Sequence, residues 1–161
     1  MNCIIKYGSQ FMAISDRIEA DRHKHWMLQL FLSSRKELNM EVQQQLIPCG
    51  AIIVNMDTWH MFQSHGEPVF TMLVDPVSEL GRRFRGLLSD QPYHVLPRDI
   101  TSAMQDAFNH ALAKADRDAF LDFARKIVSI FSNGAVKSFD ERVHQVLRLL
   151  DECAHEDEEH Q

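Results

Sequence analysis

The segment DRHKHWMLQLFLS, residues 21–33, contains the pattern on which the fold prediction depends. It carries two histidines separated by one residue, followed by an apolar run that ends at Ser33. Alternate side chains of a β-strand point to the same face, so a strand here would place five side chains together: His23, His25, Met27, Gln29 and Phe31. Two imidazoles on one face can hold a polar ligand or a divalent cation.

Further short apolar runs, separated by turn or polar residues, extend from residue 3 to about Pro97. Each run has the length and composition of a β-strand. The predicted strands are residues 3–7, 11–15, 27–33, 38–42, 45–48, 51–55 and 69–74. Runs at such short spacing are typical of an antiparallel sandwich or barrel.

A third histidine follows the predicted strand at residues 51–55, which begins after Gly50. A turn at residues 56–58 separates this strand from His60. If a neighbouring strand brings His60 to the first pair, three imidazoles can bind a divalent ion such as zinc or nickel, and Gln29 can add an oxygen ligand. The same side chains can instead line a ligand pocket without a metal, and both interpretations stay open.

After Pro97 the apolar period changes from two residues to about four, which predicts helices. The first predicted helix has apolar residues at positions 100, 104, 107, 108, 111 and 112, with Asp99 or Thr101 available as its N-cap. A second helix follows Asp116 and ends at the Asn-Gly pair 133–134, and a third begins at Ser138. Their apolar faces either pack against the strands or form a dimer interface.

Strands first and helices last predict an α+β fold, an antiparallel barrel followed by a C-terminal helical segment. We divide the chain into the barrel, residues 1–97, and a helical hairpin, residues 98–134. Residues 138–161 are predicted to form a linker helix with an acidic tail. Residues 77–88, which two glycines interrupt, are predicted to form one irregular helix or a lid.

The net charge of −6 comes from the end of the chain. Residues 151–161 hold six of the 23 acidic residues, and the 17 that remain equal the number of Lys and Arg. A neutral body lacks the broad basic surface that nucleic-acid binding requires.

Three cysteines without CxxC spacing predict a reducing compartment, and the start of the chain shows no signal peptide pattern. We therefore expect a cytoplasmic protein without a membrane partner.

The HxH pattern at residues 23–25 and the later His60 resemble the two motifs of the cupin superfamily, over about residues 20–62. The resemblance implies a cupin-like antiparallel β-barrel, also called a double-stranded β-helix. Gln29 stands where the family has Glu, so the site lacks a formal negative charge. Three other positions depart from the family's turn Pro, turn Gly and Asn: Asn55, Asp57 and Ser64. Cupins with such losses often keep the barrel without the metal or the catalysis.

Two segments also resemble transcription regulators of the AraC/XylS type. Residues 21–33 are similar to a strand of their N-terminal effector-binding barrel, and residues 138–150 are similar to the helix that opens their DNA-binding half. The resemblance implies a barrel that binds a small-molecule effector and helices that mediate a homodimer. It also implies contact with operator DNA only through two helix-turn-helix units beyond Gln161, which this sequence does not contain.

These observations predict a non-catalytic sensing and dimerisation domain. Its ligand would contact the six candidate residues: His23, His25, Met27, Gln29, Phe31 and His60. The alternative is a free-standing metal-dependent cupin enzyme of the dioxygenase or isomerase type, with the three histidines as metal ligands. A purely structural dimerisation unit, with a filled barrel, is the third possibility.

Overall fold

Ten β-strands and three α-helices make up the computed structural model, which describes residues 2–35 and 37–132. The strands are β1 Asn2–Tyr7, β2 Gln10–Ser15, β3 Glu19–His23, β4 Leu28–Ser33, β5 Asn39–Val42, β6 Gln45–Ile47, β7 Ala51–Val54, β8 His60–Gln63, β9 Val69–Val74 and β10 Tyr93–Val95. The helices are α1 Glu79–Leu88, α2 Arg98–Lys114 and α3 Arg117–Ser132.

The strands form two antiparallel sheets. The large sheet has the order β1-β2-β9-β4-β7-β10, and the small sheet has the order β3-β8-β5-β6. Between them lies an apolar core of which Phe31 and Ile52 of the large sheet and Met40 and Phe62 of the small sheet are part. Because helices follow the strands, the chain is α+β. Its two packed antiparallel sheets form the cupin-like barrel that was predicted.

The helices cover the opposite face of the large sheet, where a second and larger core forms. Phe70 of β9 contacts Phe123 of α3 edge to face, with ring centroids 4.9 Å apart, and Phe108 of α2 lies 5.2 Å from Phe123. The apolar faces of α2 and α3 are therefore buried against the sheet of their own chain. A dimer interface on this hairpin stays a prediction, and it would have to use the remaining faces.

All seven predicted strands form, with ends within about two residues of the prediction. Three further strands had no clear signal in the sequence: β3, β8 and β10. β3 is polar and lies at a sheet edge, and the other two have only four and three residues. Short or edge strands bury too few side chains to show an alternating pattern.

Within the described residues the predicted helices form, and one predicted cap differs. α1 occupies the segment for which an irregular helix or a lid was predicted, with Ser78 as its N-cap. α2 begins after Pro97 without a side-chain cap, so the prediction of Asp99 or Thr101 as N-cap was wrong. A proline ahead of α2 sets the entry angle of the chain without a capping side chain. Asp116 accepts a hydrogen bond from the backbone N–H of Ala119 at the start of α3.

The predictions for the Asn-Gly helix end, the third helix and the acidic tail fall on residues 133–161, outside the described residues. In the part of the chain that the structure describes, no helix is both long and apolar enough to cross a membrane.

Candidate metal centre

The three predicted histidines meet in the barrel, although not in the way the sequence suggested. His23 ends β3 and pairs directly with His60, the first residue of β8. His25 lies in the connection between β3 and β4. The prediction of one continuous strand with alternating side chains was therefore wrong. The chain leaves the small sheet after His23 and enters the large sheet at Leu28, and this crossing brings the imidazoles together.

The imidazole rings are close enough to share one ion. Their centroids are separated by 4.5 Å for His23 and His60, 5.2 Å for His25 and His60, and 5.5 Å for His23 and His25. One ring nitrogen from each histidine lies within 4.8 Å of the other two. Three histidine nitrogens in one place are a donor set that suits zinc, nickel, copper or iron.

The backbone sets the tautomer of all three rings. Each Nδ1 lies within hydrogen-bond distance of a carbonyl oxygen two residues away: 2.7 Å for His23 and Asp21, 3.0 Å for His25 and Met27, and 2.8 Å for His60 and Thr58. Because a carbonyl only accepts, each Nδ1–H donates and each Nε2 keeps its lone pair. Metal-binding histidines are oriented in the same way by a hydrogen bond from the second ring nitrogen.

Gln29 of β4 completes the cluster from the large sheet. Its side-chain oxygen Oε1 lies 3.0 Å from Nε2 of His25 and 3.3 Å from Nε2 of His60. Its amide nitrogen donates to the hydroxyl of Thr71 on β9, at 2.8 Å. In this orientation the amide oxygen and the two unprotonated Nε2 atoms are all acceptors, an arrangement that a cation among them would satisfy. The residues present fit a divalent metal.

Burial keeps His60 in the form that binds metal. Its side chain is 1% exposed, and this burial, together with the neighbouring His23 and His25, lowers the pKa of His60 to about 4. Neutral imidazole is the form with a free lone pair. His60 is therefore ready to act as a ligand at neutral pH without first losing a proton.

Phe31 and Met27 have different places near the cluster. Phe31 is buried on β4, and its ring centroid lies 6.1 Å from that of His60 and 5.3 Å from that of Phe62. Phe31 therefore forms part of the apolar wall beside the histidine cluster. Met27 precedes β4, and it meets His25 through its backbone carbonyl. The expected alternation of Met27 and Gln29 on one strand face fails because the strand begins only at Leu28.

Two threonines outside the predicted site residues also support the cluster. Thr71 positions the Gln29 amide, and the backbone of Thr58 positions the His60 ring. Thr71 is a single hydroxyl in the apolar strand VFTMLV, and this isolated polar residue is the signal that could have revealed it. Thr58 contributes through its carbonyl, for which the sequence holds no signal.

The rim near the cluster carries exposed aromatic and charged groups. Trp26 follows His25 and is 73% exposed, and Trp59 precedes His60 and is 47% exposed. The ammonium group of Lys24 lies 5.2 Å from the Trp59 ring and 3.1 Å from the Asp57 carboxylate.

Other histidines lie apart from this group. His65 is exposed and contacts Asn39 at 2.8 Å, and His110 is exposed on α2. His94 lies on β10, in the large sheet.

No family model matches the sequence, and no curated protein sequence is significantly similar to it. Several solved structures are similar to parts of it. An RmlC-like cupin from Shewanella frigidimarina is 13% identical with a TM-score of 0.38, covering 48% of this chain and 77% of its own. A protein from Streptococcus pyogenes is 9% identical with a TM-score of 0.41, covering 48% and 75%. A protein from Neisseria meningitidis is 11% identical with a TM-score of 0.38, covering 47% and 84%.

The sheet topology and the site together define the class of this protein. It is a cupin-like barrel with C-terminal helices and a cluster of three histidines between its two sheets.

Proposed function

We propose that this chain is the small-molecule-sensing domain of an AraC-type transcriptional regulator, with a divalent metal, zinc or nickel, in its barrel. The observation that carries the proposal is the close grouping of one ring nitrogen from each of the three histidines, within 4.8 Å of one another, with the Gln29 side-chain oxygen beside those of His25 and His60. His23, His25, His60 and Gln29 would hold the metal. The metal would supply a Lewis-acidic site for a small-molecule effector.

The segment that resembles AraC-type regulators, residues 21–33, provides three of these four side chains. A binding role for this segment, which runs from the end of β3 into β4, would fit the resemblance. Gln29 supplies a neutral amide at the position where the first motif of the cupin superfamily has Glu. This substitution favours a binding module over a catalyst, since a metal-dependent cupin enzyme would usually retain the acidic ligand that Gln29 replaces.

The strand β9 offers a physical link between the site and the helices. Thr71 contacts Gln29 on the inner face, and its neighbour Phe70 packs on Phe108 and Phe123 on the outer face. A ligand that shifts Gln29 would therefore displace residues that contact α2 and α3. Sensing further requires two states of the protein with different affinity for the ligand. These contacts give a path by which the helices would pass the ligand state to a dimer partner and to a DNA-binding half.

A metal-dependent enzyme is the second candidate. The observation in its favour is that His23 and His25 are only partly buried, so a substrate could approach the metal from their side. Incubation of the metal-loaded protein with a small carboxylate and with oxygen, followed by mass spectrometry, tests for a dioxygenase. A dioxygenase would add oxygen to the compound and increase its mass, whereas the sensor would return it unchanged.

The first test is the metal content of protein purified without a metal-affinity tag, measured by elemental mass spectrometry. We expect close to one zinc or nickel ion per chain in the wild type and almost none in a His23→Ala/His60→Ala double variant. The matched control is His65→Ala/His110→Ala, which removes two exposed histidines outside the cluster and should keep the metal. Wild-type protein that stays metal-free after incubation with zinc or nickel would contradict the metal site.

A further inference from the structure

We propose that the ligand of this site is an organic anion with an apolar body. Its charged group lies at the histidine cluster, and its apolar body lies on the inner face of β9 and β2, over Leu73 and Phe11. The inference rests on the proposed metal binding and names the chemical class of the ligand.

The charge of the donor set points to an anion. The three imidazoles and the Gln29 amide are neutral donors, and the Nδ1 atoms bond to backbone carbonyls instead of carboxylates. Of the acids beside the site, Asp57 pairs with Lys24 and Glu41 pairs with Arg22. A divalent ion held by neutral ligands keeps its two positive charges, and an anionic ligand is the group that compensates them.

The register of the large sheet places an apolar row next to Gln29. Gln29 pairs with Leu73 of β9, Leu73 pairs with Phe11 of β2, and Phe11 pairs with Lys6 of β1. Directly paired residues of antiparallel strands point to the same face, so this row continues the inner face that holds the cluster. With strands about 4.8 Å apart, Gln29 and Phe11 lie roughly 10 Å from each other, the length of a small ring or a short chain.

This part of the inner face is exposed, whereas the part formed by β7 is covered. Phe11 is 48% exposed, and Ile4, in the adjacent row on β1, is 76% exposed. By contrast, the inner-face residues Ile52 and Val54 of β7 are buried beneath the small sheet. An exposed apolar strip that begins at a polar cluster has the pattern of a ligand site, in which a few polar groups orient a mainly apolar molecule.

Lys6 lies at the far end of the row, with its ammonium group 5.8 Å from the Phe11 ring. The strip is therefore positive at its outer end and, with the metal bound, positive at its inner end. Charge complementarity excludes a cationic ligand and favours an anion over a neutral molecule.

The test uses the full chain loaded with cobalt(II), whose visible absorption changes when a ligand binds to the metal. The probes are acetate, 3-phenylpropanoate and the neutral 3-phenylpropanamide. We expect 3-phenylpropanoate to bind about tenfold or more tightly than acetate, because its ring buries apolar surface, and the amide to bind weakly or not at all. Phe11→Gln should remove the advantage of 3-phenylpropanoate and leave the affinity for acetate unchanged.

Two further variants separate the charge argument from the apolar one. Gln29→Glu introduces a carboxylate that can also bind metal, so it should keep the cobalt and weaken both anions about tenfold or more. Leu46→Gln is the matched control for Phe11→Gln, since Leu46 is 69% exposed and pairs with Glu41 on the outer face of the small sheet. Leu46→Gln should leave the affinities for acetate and for 3-phenylpropanoate unchanged.

The possible failures are distinguishable. Protein that takes up no cobalt overturns the metal site of the proposed function. Cobalt-loaded protein that binds acetate and 3-phenylpropanoate equally, or binds the amide as well as the anion, overturns the ligand class alone. A dimer in sedimentation that Phe11→Gln converts to monomers would identify the strip as an interface between two copies, and would also overturn the ligand assignment.

Discussion

Single hydrogen bonds decide the chemistry of the histidine cluster. Each imidazole donates from Nδ1 to a carbonyl two residues away, so the local backbone, and not a distant side chain, sets the direction of the Nε2 lone pair. The sequence identified the three histidines and Gln29 from their types and spacing. It could not identify Thr71, because the bond between Thr71 and Gln29 spans 42 residues and depends on the pairing of β4 with β9.

Cys49 is buried between the two sheets, and its reactivity is a test of this burial. Burial, and secondly the charge of Glu37, raises the pKa of the Cys49 thiol to about 12. The thiolate is the reactive form, so we expect Cys49 to resist iodoacetamide at pH 8 in the native protein and to react once urea unfolds it. The measurement is mass spectrometry of a Cys3→Ser/Cys153→Ser variant. Rapid labelling of the native protein would contradict the burial of this thiol.

The same thiol makes the stability of the fold depend on alkaline pH. The pKa of Cys49 is raised in the folded state from its ordinary value of 9.0, so its contribution is complete below about pH 9 and declines as the pH rises towards 12. The free energy of unfolding should therefore fall more steeply above pH 9 in the wild type than in Cys49→Ala. Parallel urea titrations between pH 7 and pH 10.5 test this difference, and identical slopes would show that the folded pKa is not raised.

At the scale of elements, α1 shows how neighbouring structure gives two glycines opposite roles. A Cβ atom at Gly81 would lie 2.0 Å from the backbone oxygen of Asp75, so the close approach of the preceding turn to α1 requires glycine there. A Cβ atom at Gly86 would meet nothing within 4 Å. The sequence showed only two glycines in an irregular segment, and it did not distinguish the one that the packing requires.

We therefore expect opposite results from two alanine substitutions in α1. Gly86→Ala should raise the free energy of unfolding by about 0.5–1 kcal/mol, because alanine loses less backbone entropy in a helix. Gly81→Ala should lower it by about 2 kcal/mol or more, since the turn at Asp75 would have to move. Urea denaturation followed by circular dichroism measures both changes. Equal effects of the two substitutions would contradict the packing of α1 on the turn.

For the whole molecule, the central feature is one apolar core shared by the large sheet and the helices. Phe70 of the sheet contacts Phe108 and Phe123 of the two long helices. The proposed boundary at residue 97 therefore crosses a continuous set of apolar contacts. We infer that the barrel and the hairpin unfold together.

Truncation of the Phe123 side chain tests whether the barrel and the helical hairpin unfold together. Phe123→Ala should lower the free energy of unfolding by about 3–5 kcal/mol, because it leaves a cavity between the sheet and both helices. Arg125→Ala, on the exposed side of α3, should change it by less than about 0.5 kcal/mol. Tryptophan fluorescence reports on the barrel through Trp26 and Trp59, and circular dichroism reports on the helices. Coincident urea transitions are expected, and two separate transitions would show that the barrel and hairpin fold independently.

The sequence was sufficient to predict the order of strands and helices, the residue types of the site and the neutral character of its donors. These properties depend on local periodicity and composition, which neighbouring residues carry. The tertiary structure was needed to show that β3 and β4 belong to different sheets, that Gln29 meets Thr71, and that Phe11 and Ile4 stay exposed. These features depend on strand pairing and sheet packing between residues far apart in the chain, which local periodicity does not specify.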